Sequence, residues 1–324
     1  MQHTHLETSF FGLFAIIIPL WVLSPIAPAE QVFTGFRNDG GWDSHGTATL
    51  VGLAGTLPAV VGFDCVVHMS EEVQDASLTM PRALNASFFF NAIFGFGMVI
   101  TIAFTIGDID NVLATPTGTP AVQWILNSTG SVAGTTVMIT LVFITLVAAV
   151  IAEVAAASRQ LWSFARDKGV PGHRWVSHIT RGSNIPLNAV MISLAITSAL
   201  ALVNLGSTTA LNAIISLALV ALLISYMICI GCVALRRLRG KPLPKRRWSL
   251  SKLGLPINIA ACLFLVPLLV FACFPPIVSP TAVSMNYGVV MFAGVIFLAL
   301  AYYAVHGRKV YVSPVALVAR EYDD

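Results

Sequence analysis

Three ionisable residues, Asp64, His68 and Glu153, lie inside apolar runs that otherwise read as membrane spans. A charge at the bilayer centre costs at least ~2.5 to 3.5 kcal/mol, so each of them marks a place where function or a protein partner compensates that cost. Asp64 and His68 are four residues apart, which stacks them on one face of a helix, and Glu71 continues that face. Such a ladder can pass a proton or hold a cation. The alternative is a helix-end cluster hydrogen-bonded to neighbouring loops. Glu71 and the adjacent Glu72 suit a gate ion pair with Arg82 or Arg159, or simple solvation at the interface. Glu153 precedes Ala155-Ala156-Ala157-Ser158, small residues that allow close helix packing, so a proton-coupling role facing the interior competes with plain packing.

The stretch that must position the first group runs from Ala48 to Arg82. Gly52, Gly55, Pro58 and Gly62 puncture its apolar run just before Asp64. Glycine lacks the Cβ that favours helix and proline lacks the N–H, so a locally unwound helix is expected there. Irregular backbone at membrane depth persists only where protein or a wet cavity satisfies its polar groups, which is how secondary transporters build binding sites.

The rest of the chain supplies the setting. Hydrophobic residues make up 56% of it and charged residues 10%, with a mean hydropathy of +0.83, whereas a soluble domain carries about 25% charge. An all-α polytopic membrane protein of about eight transmembrane helices follows. The predicted spans are about 9–27, 48–68 (broken), 86–106, 132–158, 187–204, 209–234, 256–274 and 286–306, in a single transmembrane domain over residues 1–324. Of the 18 Lys and Arg residues, only Arg37 falls outside one set of alternate loops and the tail, which places both termini in the cytosol. The basic run from Arg236 to Lys252 is read as this orientation signal, with anionic lipid headgroups as the alternative, and no nucleic-acid partner is expected.

The remaining features read as structural. Cys229 and Cys232 form a C-x-x-C without a second ligand pair, so they are taken as helix-packing residues, and neither a metal nor a cofactor is expected. Gly95 and Gly97 are read as sites of close helix approach, and Pro19, Pro256 and Pro267 as kinks. The segment SRQLWSFARDKGVP, from Ser158 to Pro171, should carry its helix past the bilayer and stop at Gly169 and Pro171, with Arg159, Arg166 and Asp167 fixing loops. Chemistry of an enzymatic kind is not expected: an intramembrane aspartyl hydrolase needs a second mid-span Asp, and no nucleophile stands with His68 in a motif.

The motif GFDCVVHMSEEVQDASLTMPRA, Gly62 to Ala83, followed by SRQLWSFARDKGVP and by the tail GRKVYVSP, Gly307 to Pro314, resembles the signature of fungal amino acid permeases of the amino acid/polyamine/organocation (APC) superfamily, most of all the GABA and choline permease group. The resemblance implies a LeuT-like fold in which the eight spans stand for helices five to twelve, so that the first four helices are lacking. It implies Ala59, Val60, Val61 and Gly62 as backbone contacts to substrate in the broken helix, and places Asp64 where bacterial relatives carry an acidic residue linked to gating or protonation; His68, Glu71 and Glu153 remain candidates for proton coupling or gating by their own place in the chain. Pro58 stands where some relatives carry a gating aromatic. The implied activity is proton-coupled secondary transport of an amino acid or a related amine such as GABA or choline, across the lipid bilayer of the plasma membrane. The alternative is a truncated, non-transporting fragment of such a permease, because the wall of the site opposite the broken helix belongs to the first of the lacking helices.

Overall fold

The computed structural model describes residues 2–180, 182, 185–241, 243 and 247–312. Arg181, Lys245, Arg246 and the tail from residue 313, with Arg320, lie outside them. In chain order the helices are α1 (Gln2–Leu23), α2 (Ala29–Thr34), α3 (His45–Thr56), α4 (Ala76–Thr105), α5 (Ile109–Leu113), α6 (Pro120–Thr129), α7 (Val132–Arg166), α8 (His173–Val176), α9 (Leu187–Gly206), α10 (Thr208–Leu238), α11 (Gly254–Ala272) and α12 (Gly288–Tyr302). Tighter 3-10 turns occupy Leu57–Ala59, Phe63–Glu72 and Ser251–Leu253, and a π-turn at Tyr303–Gly307 leads into a short turn, Arg308–Val310. Among the described residues there is no strand. Among the described residues seven stretches are long and apolar enough to cross a membrane, while the apolar part of α1, Phe10–Leu23, is shorter. The chain is therefore an all-α polytopic membrane protein.

Two compact units divide it, Met1–Arg37 with Ala83–Val154, and Asn38–Arg82 with Ala155–Asp324. The core of the first joins Ile16 and Leu20 of α1 to Val112 of α5, Trp124 and Ile125 of α6, and Met138 of α7. Two indole N–H groups find their acceptors along one edge of α4. Trp21 Nε1 donates to Thr101 Oγ1 at 3.0 Å, and Trp124 Nε1 donates to Thr105 Oγ1 at 3.1 Å. Each threonine hydroxyl then donates to the carbonyl four residues back, Thr101 to Gly97 and Thr105 to Thr101, so no buried indole N–H at these two positions is orphaned. Asp108 caps α5 by accepting from the backbone N–H groups of Asp110 and Asn111. Beside it Arg37 Nη2 donates to Asp110 Oδ1 at 2.6 Å. That hydrogen bond, and then the guanidinium charge, hold the Asp110 carboxyl below the usual carboxylate range. Gly95 and Gly97 were expected to admit a close neighbour, yet a Cβ at either would meet nothing within 4 Å.

In the second unit α10 packs on α9, α11 and α12, and α3 packs on α11. Ala54 and Leu57, Leu219 and Leu223, and Leu265, Leu268 and Ala272 form the shared core, with Val61 and Tyr226 packed against it. Gly288 lets α12 approach α10 closely, since a Cβ there would stand 2.7 Å from the Ser216 Cβ. A second cluster, Ala165, Val176 and Ala189, anchors the end of α7 to α8 and α9. That end closes with the Gly169 N–H bonded to the Phe164 carbonyl and the Lys168 N–H to the Ala165 carbonyl, a Schellman pattern with Lys168 left-handed at φ +63°. Gly169 follows because the Phe164 ring lies 2.3 Å from where its Cβ would be.

Candidate functional site

The chain leaves α-geometry at the end of α3. Pro58 has no N–H to extend the helix, and the N–H groups of Val60 and Val61 both reach back to the Leu57 carbonyl, at 3.0 and 3.2 Å. At Gly62 the backbone turns left-handed, φ +99°, in open space, so glycine is needed there for its conformation and not for room. A ten-residue 3-10 helix then begins at Phe63. The carbonyls of Val60 and Val61 accept no hydrogen bond among the described residues, which leaves main-chain acceptors bare at the break. Ala59 and Val60 are exposed, Val61 and Gly62 half-buried.

Asp64 sits in the first turn after the break, where the exposed N–H groups of a helix start favour a negative charge. Its Oδ1 accepts a 2.5 Å hydrogen bond from the Tyr226 hydroxyl of α10. The ring of Tyr226 also lies against Phe63, with centroids 5.8 Å apart, and rests on the α3–α10–α11 core. Tyrosine therefore fixes the rotamer of Asp64 from a rigid helix. His68 Nε2 lies 3.7 Å from Asp64 Oδ2, within Coulomb range and beyond a good hydrogen bond. Both side chains keep some access to solvent, 24% for Asp64 and 28% for His68.

Farther along, the ladder meets α7. Glu71 binds Arg166 through two hydrogen bonds, Oε1 to Nη2 at 3.0 Å and Oε2 to Nη1 at 3.2 Å, and Glu72 pairs with Arg159. The Arg166 guanidinium also lies over the Trp162 ring, 4.9 Å from its centroid. Glu71, Glu72, Arg159 and Trp162 line an open cavity of about 790 Å³, together with residues 67–70, 157, 160–164 and 167, Ile179 and Tyr311. Arg159, one of the two partners the sequence offers for these glutamates, thus holds Glu72, Arg166, read from the sequence as loop-fixing, holds Glu71, and Arg82 takes no part in those pairs.

Glu153 belongs to the other compact unit. Its side chain is exposed on α7, and no hydrogen bond or ion pair reaches it among the described residues. Tyr226 was missed by sequence reasoning, although a hydroxyl-bearing ring in the middle of a 31-residue apolar helix is itself a signal. Its partner lies 162 residues away, a distance no motif encodes.

Residues 8–297 match the sequence family described as amino acid permease. The choline transporter of Saccharomyces cerevisiae is 30% identical over 311 residues, covering 95% of this chain and 55% of its own length. An uncharacterized amino-acid permease of Schizosaccharomyces pombe is 30% identical over 321 residues, 97% of this chain and 58% of its own. Amino-acid permease BAT1 of Arabidopsis thaliana is 29% identical over 316 residues, 93% and 60% respectively. The chain thus spans just over half the length of the curated relatives it matches. No solved structure gives a significant match.

Proposed function

Because the chain belongs to the amino acid permease family, we propose that it works as a secondary transporter of amino acids or related amines, GABA and choline among them, driven by protons. The observation that carries this reading is the hydrogen bond between Tyr226 and Asp64, one turn below an unwound helix. At the break, the bare carbonyls of Val60 and Val61 supply acceptors for a substrate ammonium group, and the start of the 63–72 helix supplies N–H groups for a carboxylate. Ala59 and Gly62 frame those contacts. Asp64 is the protonatable group that changes charge beside them: as a carboxylate it accepts from Tyr226, and once protonated it no longer holds that bond with the same strength. His68 receives or returns the proton, and Glu71, with Arg166, closes the path on the side of the basic loops. Glu153 is a second protonatable candidate.

That side is the cytosol by the distribution of Lys and Arg, and the membrane is the plasma membrane on this reading. No enzymatic step is involved. Purified chain reconstituted in liposomes, with radiolabelled GABA or choline outside and an inward proton gradient, tests the proposal. Asp64→Asn should abolish uptake without loss of membrane insertion, and Glu153→Gln should lower it if that acid also carries protons. Absence of uptake by the chain itself would favour the second reading, a membrane fragment that does not transport alone, for which the partial coverage of the relatives speaks.

A further inference from the structure

The stretch between α10 and α11 is the most densely basic part of the chain. Residues 236–252 contain eight Lys and Arg and no Asp or Glu. Both ends of the stretch are membrane spans, so it is tied to the bilayer surface on the side that the Lys and Arg bias makes cytosolic. Arg239, Lys241, Arg247 and Lys252 are exposed. Leu238 and Leu253, 62% and 64% exposed, stand at the two span ends, with Trp248 and Leu250 exposed between them. Alkyl and indole surface interleaved with cations at the end of a span suits the headgroup level, where the apolar parts enter the acyl boundary and the charged ends stay among phosphates. Arg237 shows the charge imbalance most directly. Its guanidinium lies on the first residue of α11, so close that a Cβ at Gly254 would collide with Nη1. A cation is thereby held at a helix end that already carries partial positive charge. Among the described residues no carboxylate reaches Arg237, Arg239, Lys241 or Lys252. Asp75 reaches Arg247, whose Nη1 donates to Oδ2 at 2.6 Å.

We propose that this stretch is a binding surface for the headgroups of anionic phospholipids in the cytosolic leaflet. A lipid phosphate supplies the anion that Arg237 and the start of α11 lack, and the net negative charge of the headgroup draws in the exposed Arg239 and Lys241. A soluble phosphate brings the charge without the acyl chains that lie against Leu238 and Leu253, so the occupant is a lipid. Arg247 adds a competition. Asp75 stands between the 63–72 helix and α4, with left-handed backbone at φ +51° and its carbonyl accepting from the N–H groups of Leu78 and Thr79. A headgroup and Asp75 draw on the same guanidinium, so a bound lipid loosens the tie between this surface and the link that follows the 63–72 helix.

The test is native mass spectrometry of the full chain in detergent, titrated with phosphatidylserine or with phosphatidylcholine. Phosphatidylserine should bind at least about tenfold more tightly. Each cation at the surface contributes about fivefold, so Arg239→Gln with Lys241→Gln should weaken phosphatidylserine binding at least about tenfold and leave phosphatidylcholine unchanged. Both positions are exposed, so this variant serves if Arg237→Gln, expected to weaken binding about fivefold, fails to fold. Asp75→Asn frees Arg247 and should tighten binding about two- to fivefold, a gain that disappears when Arg247→Gln is added. Arg308→Gln with Lys309→Gln, at the end of the last span, should leave binding within about twofold. Equal binding of the two lipids overturns the proposal, as does unchanged binding in the Arg239 and Lys241 variant, an equal loss in the Arg308 and Lys309 variant, or displacement by inorganic phosphate. An Asp75→Asn chain that binds no more tightly overturns the competition for Arg247. The readout is lipid binding and not uptake, so a chain that fails to transport sinks the proposed function and leaves this surface standing.

Discussion

Replacing Tyr226 with Phe removes one oxygen atom and keeps the ring that packs on Phe63 and on the α3–α10–α11 core. The 2.5 Å hydrogen bond to Asp64 goes with that oxygen. A hydrogen bond to a charged acceptor contributes ~1.5 to 3 kcal/mol. With the Asp64 side chain 24% exposed, water recovers part of that, so the lower half of the range applies, ~1.5 to 2 kcal/mol. If the bond holds Asp64 in its working position, proton-driven uptake in liposomes should fall about 10- to 30-fold. Uptake within twofold of the unaltered chain would refute the positioning argument. A double-mutant cycle with Asp64→Asn, read as thermal stability in detergent, isolates the pair: a coupling of ~1.5 kcal/mol is expected, and additivity within ~0.5 kcal/mol also counts against it.

Gly62→Ala meets no atom but forces a Cβ onto a left-handed backbone, φ +99°; it should destabilise the chain by ~1 to 2 kcal/mol, seen as a lower thermal midpoint in detergent. Thr105→Val strips the buried Trp124 N–H of its acceptor and should cost ~1 to 3 kcal/mol in the same assay. The Glu71–Arg166 pair is 57% and 44% exposed, so breaking it with Glu71→Gln should change stability by less than ~1 kcal/mol; the exchange Glu71→Arg with Arg166→Glu should restore whatever transport the single change removes. Asp110 is an acid whose carboxyl is held low by Arg37. Its stabilising effect is therefore present above the ordinary carboxylate value and disappears as pH falls through the lowered one. Asp110→Asn should leave the pH dependence of unfolding unchanged between about pH 5 and 7 and alter it only below about pH 4, where the unfolded-state carboxylate titrates.

The helical class was legible because the apolar runs have the length of a bilayer crossing, and the unwound stretch because Gly62 and Pro58 each remove something a helix needs. What was not legible is what touches what. Asp64 announces itself as a charge in an apolar run, but Tyr226 answers it from 162 residues away, and pairing at that separation is decided by the packing of α3 against α11 and α11 against α10. Glu71 was visible as the next rung of a ladder. Its partner proved to be Arg166 in place of the nearer Arg82 because α7 runs on past the bilayer-length segment for two more turns. Gly169 was read as a helix stop, yet the left-handed position falls on Lys168, and the glycine is there to make way for the Phe164 ring.

The π-turn at Tyr303–Gly307 has a consequence for registry. Such a turn accommodates one residue more than an α-helix does, so everything after it is rotated by about 100° relative to an unbroken helix. That phase brings Tyr311 to Phe164, with centroids 6.1 Å apart, and the Val312 N–H to the Asp167 carbonyl, 3.1 Å away. Deleting a single residue between 303 and 307 would heal the helix and point the chain that follows elsewhere. The last span is thus clocked, one residue out of step with itself, to the tip of α7.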